Sequence, residues 1–287
     1  MWTFSVDSFK LLRVMQPKVL ICECNSAGLI DRSKLATICA GLKAAGVAFD
    51  TVPDLCGAAA ARNASLKQYS GNGPVRIVAC YPRAVKALFE FAGAPLSQTD
   101  AQILNLREVS GDEALSTLGV DAVAPQAPGE PALSAPANSW IPWFPVLDMA
   151  RCTNCQQCLG FCLFGVYGLS EEGKVTVINP QGCKTNCPAC ARICPEAAII
   201  FPKYASGAIA GAQITDETRE KSRIQADMQQ ILGSDVYTAL AQRRQKVRQR
   251  QLLRTDLLQA HQERREYLQR SRAMPPHENP PPPVSGV

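Results

Sequence analysis

Hydrophobic positions between residues 18 and 109 alternate between two spacings, and that alternation predicts strands and helices in turn. Lys18 to Cys22 (KVLIC) reads as a buried strand. Asp31 to Gly46 reads as a helix, because Leu35, Ile38, Cys39 and Leu42 recur at steps of three and four. Val47 to Val52 is a second strand, Ala58 to Tyr69 a helical stretch, and Pro74 to Cys80 a third strand. Pro82 to Ala92 is a third helix, with proline at its first turn, and Gln102 to Glu108 a fourth strand. Strands that alternate with helices predict βαβ units and a mostly parallel sheet. The pattern then lapses: residues 121 to 145 hold six prolines among many alanines and read as a linker. Trp140, Trp143 and Phe144 at its end are expected to pack onto the next domain.

That next domain is dense in cysteine. It is read over residues 146 to 205, with Val175 to Ile178 and Ile199 to Phe201 as short strands. From Asp216 to Arg272 the chain is polar and helix-forming, with a break at Gly233 and Ser234, where Ser234 is suited to cap a second helix. The last stretch, 273 to 287, holds six prolines and is expected to be extended or disordered. The fold class expected is therefore α+β. It comprises an α/β domain over 1 to 120, a small cysteine-rich domain, and a long helical extension.

Composition narrows the chemistry. Thirteen cysteines stand against two histidines, His261 and His277, both far from the cysteines in sequence. Met1 to Lys10 shows neither a secretory nor a twin-arginine signal, and no apolar run nears the roughly 20 residues that cross a bilayer. A cytoplasmic location is expected, where thiols hold metal more readily than they form disulfides. With so few histidines, thiolate-only sites remain.

The spacing of eight cysteines is specific. Cys152, Cys155, Cys158 and Cys162 follow C-x2-C-x2-C-x3-C. Cys183, Cys187, Cys190 and Cys194 follow C-x3-C-x2-C-x3-C, and Pro195 comes next. A tight loop with cysteines three apart can wrap three of them around one iron–sulfur cube, while the fourth points away to a second cube. Two four-thiolate zinc sites would also use eight cysteines, but structural zinc favours separated C-x2-C pairs. Apolar Leu159, Phe161, Phe164, Val166 and Ile193 interleave the thiols and are expected to keep water off the site.

On these motifs, residues 145 to 205 resemble the bacterial two-cluster ferredoxins. The resemblance implies two [4Fe–4S] clusters, one held by Cys152, Cys155, Cys158 and Cys194, the other by Cys183, Cys187, Cys190 and Cys162. Two departures stand out: an extra residue in Lys184-Thr185-Asn186, and Leu163 where the first run would have proline.

Cys22 and Cys24 end the first strand, Cys56 follows the second and Cys80 ends the third. In an open parallel sheet these positions share the carboxyl edge, where ligands bind. A third cluster, spare buried thiols and another metal all fit that placement. Cys39, mid-helix, reads as core. The segments Cys22-Glu23-Cys24-Asn25, Asp54-Leu55-Cys56-Gly57 and Ala79-Cys80-Tyr81-Pro82-Arg83 make residues 17 to 110 similar to the amino-terminal domain of the flavin-bearing subunit of heterodisulfide reductase. That resemblance implies a [4Fe–4S] cluster on Cys22, Cys24, Cys56 and Cys80. Glu23 and Arg83 beside it read as solvated or outer groups. No G-x-G-x-x-G follows a strand, so no flavin or nicotinamide site is expected.

No nucleophile elbow, phosphate loop or H-E-x-x-H appears, and no catalytic residue is assigned. Residues 216 to 272 carry 13 Lys and Arg against 8 Asp and Glu. Arg243, Arg244, Lys246, Arg248, Arg250 and Arg254 are uninterrupted by acid. A solvated or partner-docking helix, an anionic membrane surface and nucleic acid are the readings of that stretch. Nucleic acid is disfavoured, since only Tyr237 and Tyr267 offer stacking. The expected function is iron–sulfur electron transfer within a larger oxidoreductase, the chemistry belonging to a redox partner. The alternatives are a thiol or disulfide reductase acting at the first-domain cysteines and a nucleic-acid-binding regulator.

Overall fold

A computed structural model describes residues 17–120 apart from 72, 98 and 99, residues 140–233, and part of 235–266. Residues 121 to 139 of the linker expected over 121 to 145, the tail and most of the arginine stretch lie outside the described residues.

The first half is built on four parallel strands. Apolar β1 (Lys18–Cys22) is buried from Val19 onward and lies between β2 (Asp50–Val52) and β3 (Val75–Ala79); β4 (Ala101–Asn105) completes the order β2-β1-β3-β4. Leu20 faces Asp50 on one side and Ile77 on the other, and Ile77 in turn faces Ile103. Helix α1 (Arg32–Ala44) starts where the Asp31 carboxylate accepts the Ser33 N–H at 2.7 Å, and buries Leu35, Ile38, Cys39 and Leu42. Gly41 leaves room on this helix for Leu115. Leu115 belongs to α4 (Gly111–Thr117), a short helix that the spacing of apolar residues did not predict, capped by Ser110.

Two expected elements differ. The second strand begins only at Asp50, because the Val47 N–H turns back to Leu42 O at 2.9 Å around Gly46, whose φ is +68°. The expected helix from Ala58 to Tyr69 splits into α2 (Leu55–Ala60) and a 3-10 turn, Ala64–Tyr69. Arg62 between them has φ +48°, and Asn63 caps a fresh turn by accepting the Ser65 N–H. Helix α3 (Pro82–Phe91) starts on its proline as expected.

The second half is held by two small antiparallel pairs. Strand β5 (Val146–Leu147) pairs with β8 (Ile199–Ile200), and β6 (Tyr167–Leu169) with β7 (Val175–Val177). Between them lie α5 (Gln157–Phe161) and α6 (Ala189–Arg192), and α7 (Glu217–Leu232) comes after β8. Asp216 caps α7, and ion pairs from Arg151 to Glu217 and Arg192 to Asp227 fix it to the cysteine-rich part. Gly233 ends it, as expected.

The two halves share a buried junction. Trp143 packs on Phe201 at 5.4 Å between ring centres, as expected, but Phe144 turns the other way and meets Phe91 of α3 at 5.5 Å, with Trp140 stacked on it. Val146, Ile200 and Ala210 pack into the core of the first half. Arg83, read as a solvated or outer group, donates to Asp148 Oδ2 at 2.8 Å, Ala197 O at 2.9 Å and Ala212 O at 3.0 Å. No helix among the described residues is long and apolar enough to cross a membrane.

Candidate metal centres

The cysteines of the first half converge because parallel strands end together. The Glu23 N–H bonds Val52 O and the Asn25 N–H bonds Pro53 O, each at 3.0 Å, so the loop after β1 runs beside the loop after β2. Cys24 turns that loop with φ +51°. Asp54 caps α2 by accepting the Gly57 N–H at 3.0 Å, and this sets Cys56 in the first turn of the helix. The Leu55 N–H points at Cys22 Sγ from 3.4 Å. Cys22, Cys24 and Cys56 are buried and Cys80 half-buried. Burial, then the neighbouring Cys24 and Asp54, hold the Cys22 thiol well above its ordinary range; burial does the same for Cys56. Cys80 is pushed up to about 12 by burial and by Cys24. Glu23, read as a solvated or outer group, is buried beside them, with its carboxylate accepting from the Asn25 amide at 3.0 Å.

The eight cysteines of the second half divide into two fours, and the fourth member of each run joins the other run. Cys152, Cys155, Cys158 and Cys194 line one narrow cavity with Leu147, Val175 and Ile199. Asn154 and Gln156, at φ +56° and +60°, bend the loop between the thiols. The Asn154 side chain fastens that loop to β7, accepting the Val175 N–H at 2.9 Å and donating to Gly173 O at 3.1 Å. Cys158 is pushed up to about 12 by burial and then by Cys194. Burial raises Cys194 too, offset by backbone N–H groups that include Ala198 at 3.4 Å.

Cys162, Cys183, Cys187 and Cys190 line a second cavity of about 240 Å³, walled by Phe161, Val166 and Tyr167. The extra residue in the second run is absorbed by a turn. The Cys187 N–H closes on Lys184 O at 3.1 Å, with Asn186 at φ +61°. The Tyr167 hydroxyl donates to Cys190 Sγ at 3.1 Å. Burial pushes Cys183 up to about 12, and Cys162 and Cys187 add to it. Phe161, Val166 and Ile193 are buried as expected, whereas Phe164 is 45% exposed at the rim beside Leu163.

None of the thirteen cysteines forms a disulfide. Among the described residues no three His, Cys, Asp or Glu side chains are grouped to hold a single metal ion. The donor set of each second-half cavity fits an iron–sulfur cube: four thiols beside apolar walls, which lose their protons when iron binds.

Comparison with known proteins agrees with that chemistry. A 4Fe-4S dicluster domain family matches residues 144–226, which extends past the expected 145 to 205 into α7. An uncharacterized ferredoxin of Methanocaldococcus jannaschii is 51% identical over 63 residues, 22% of this chain and 42% of that protein. Ferredoxin-3 of a Nostoc species is 32% identical over 77 residues, and 78% of its length is covered by 21% of this chain. The chain belongs to the ferredoxin family. Its ferredoxin part carries [4Fe–4S] chemistry and serves electron transport. The match reaches less than half the length of the Methanocaldococcus ferredoxin. No solved structure matches the chain.

Three groups at these centres were not assigned to them from the sequence pattern. Lys203, shortly after β8, is buried and reaches Asp54 in the first half. Tyr167 supplies the hydroxyl at Cys190. Arg243, of the expected basic helix, lies 4.4 Å over the Phe161 ring and lines the larger cavity. A single lysine or tyrosine leaves no periodic mark. Only Arg243 stands in a conspicuous cluster, and there its charge rather than its ring contact draws attention.

Proposed function

We propose that this ferredoxin relays electrons through three [4Fe–4S] clusters as part of a larger cytoplasmic oxidoreductase. The first cluster is held by Cys152, Cys155, Cys158 and Cys194, the second by Cys183, Cys187, Cys190 and Cys162, and the third by Cys22, Cys24, Cys56 and Cys80. The observation that carries this reading is the division of the eight second-half cysteines between two cavities, four to each, while Cys39 is buried in a helix face. Loaded clusters supply one-electron transfer. The protein's own part is to exclude water with Phe161, Val166, Ile193 and Ile199, and to hold the thiols by caps and left-handed turns.

The third cluster has its support in the shared carboxyl edge of β1, β2 and β3, and in the likeness of this half to the amino-terminal domain of the flavin-bearing heterodisulfide reductase polypeptide. The proposed division is an amino-terminal α/β domain, a ferredoxin domain over 146 to 205, and a basic extension after 216. That extension docks a redox partner protein. Arg243 over Phe161 begins this surface at the mouth of the second centre.

The test is metal content. The anaerobically reconstituted chain is expected to hold about 12 iron and about 12 sulfide. Changing Cys80 to serine is expected to remove about 4 of each and one paramagnetic signal after dithionite reduction. About 8 iron in the parent, unchanged in the serine variant, would refute the third cluster. Zinc in a colourless protein would refute all three.

A further inference from the structure

Lys203 leaves the ferredoxin part and ends inside the other half. Its side chain is 4% exposed, and its ammonium lies 2.6 Å from Asp54 Oδ2 and 2.5 Å from Ser26 Oγ. Ser26 also donates to the same Asp54 oxygen. Ser26 follows Cys24 by two positions, and Asp54 precedes Cys56 by two. The cation is therefore clamped by the two side chains that flank two of the thiols. Burial alone would lower its pKa, but Cys56, Asp54 and Cys24 together raise it, so the group stays charged. A buried lysine is costly unless anions surround it. Asp54 carries the opposite charge, so the thiols feel the difference between the two fields.

We propose that Lys203 is a positioning residue through which the ferredoxin part tunes the other half: its ammonium balances the thiolate charge of Cys22, Cys24, Cys56 and Cys80 and raises the reduction potential of the cluster they hold. The inference rests on the third-cluster reading above. One-electron reduction adds a negative charge with no proton, and a fixed cation favours the more negative state.

The experiment uses the full-length reconstituted chain. Iron and sulfide are counted, and each paramagnetic signal is followed in a potentiometric titration for the parent, K203M, K203R and D54N. With about 12 iron retained, K203M is expected to shift one signal alone to more negative potential. The shift expected is at least tenfold in the reduction equilibrium, ~59 mV for one electron. K203R restores the parent value. D54N keeps the helix cap but frees the cation from its carboxylate, so it shifts the same signal the opposite way. A K203M shift under twofold with iron retained overturns the role of Lys203 and leaves the third cluster standing. About 8 iron in the parent overturns the cluster and this role with it. If K203M alone loses iron, D54N decides: a positive shift supports the role, and an unmoved or negative one ends it.

Discussion

Replacing Arg83 with methionine is expected to loosen the junction between the two halves. Arg83 makes three contacts across it: Asp148 at 2.8 Å, Ala197 O at 2.9 Å and Ala212 O at 3.0 Å. The ion pair is largely sheltered, with side chains 12% and 16% exposed. Charge-assisted hydrogen bonds contribute ~1.5–3 kcal/mol each, and breaking a buried pair from one side costs ~3–5 kcal/mol. Methionine recovers some of the packing, so the loss should be about 3 kcal/mol. Lysine keeps the charge but not the three-way fork, and should lose about half as much. Anaerobic urea titration of the iron-loaded chain measures it, with far-ultraviolet dichroism and cluster absorbance followed together. For a slope of ~3 kcal/mol/M the R83M midpoint should fall by about 1 M. The two probes, coincident in the parent, should separate. A midpoint lowered by less than ~0.3 M with the probes still coincident would refute the clasp.

Cys56→Ser should reduce iron from about 12 to about 8 per chain by elemental analysis, while Cys39→Ala leaves it unchanged. Tyr167→Phe removes the donor at Cys190 Sγ, and at about 1 kcal/mol for one hydrogen bond it should lower one cluster potential by ~40 mV in an electrochemical titration. Gly211 has φ +100°, and an added Cβ would lie 2.7 Å from Ala84 Cβ and 2.9 Å from its backbone nitrogen; Gly211→Ala should cost ~1–3 kcal/mol in the same urea assay. Chelation of iron should lower the thermal midpoint of residues 144–226 more than that of the parallel sheet, read by hydrogen exchange.

Local signals carried most of the fold. β1, α1 and α3 stand where apolar spacing and their first-turn residues put them, since KVLIC, the Asp31 cap and Pro82 each act within a few residues. Helix α4 escaped because seven residues give only Ala114 and Leu115 to read, and its packing depends on distant Gly41. The split after Ala60 escaped because Asn63 acts as a cap against a run of alanines. Strands of two or three residues, such as β5 and β6, exist by pairing with partners far along the chain. For the candidate site, the spacing of the second-half thiols is legible in the chain itself, and those thiols line two cavities, four to each. The groups around them, Lys203 at Asp54 and Tyr167 at Cys190, are single residues brought in by tertiary packing.

Synthesis runs from the amino end, and this gives the junction an assembly order. Cys22, Cys24, Cys56 and Cys80 leave the ribosome long before Lys203 does; at ~5–20 residues per second the interval is on the order of ten seconds. Throughout that interval the earliest-made thiols lack both their counter-charge and the β5–β8 pair that packs against their sheet. On the proposed third-cluster reading, the centre whose ligands are translated first is thus the one whose surroundings are completed last.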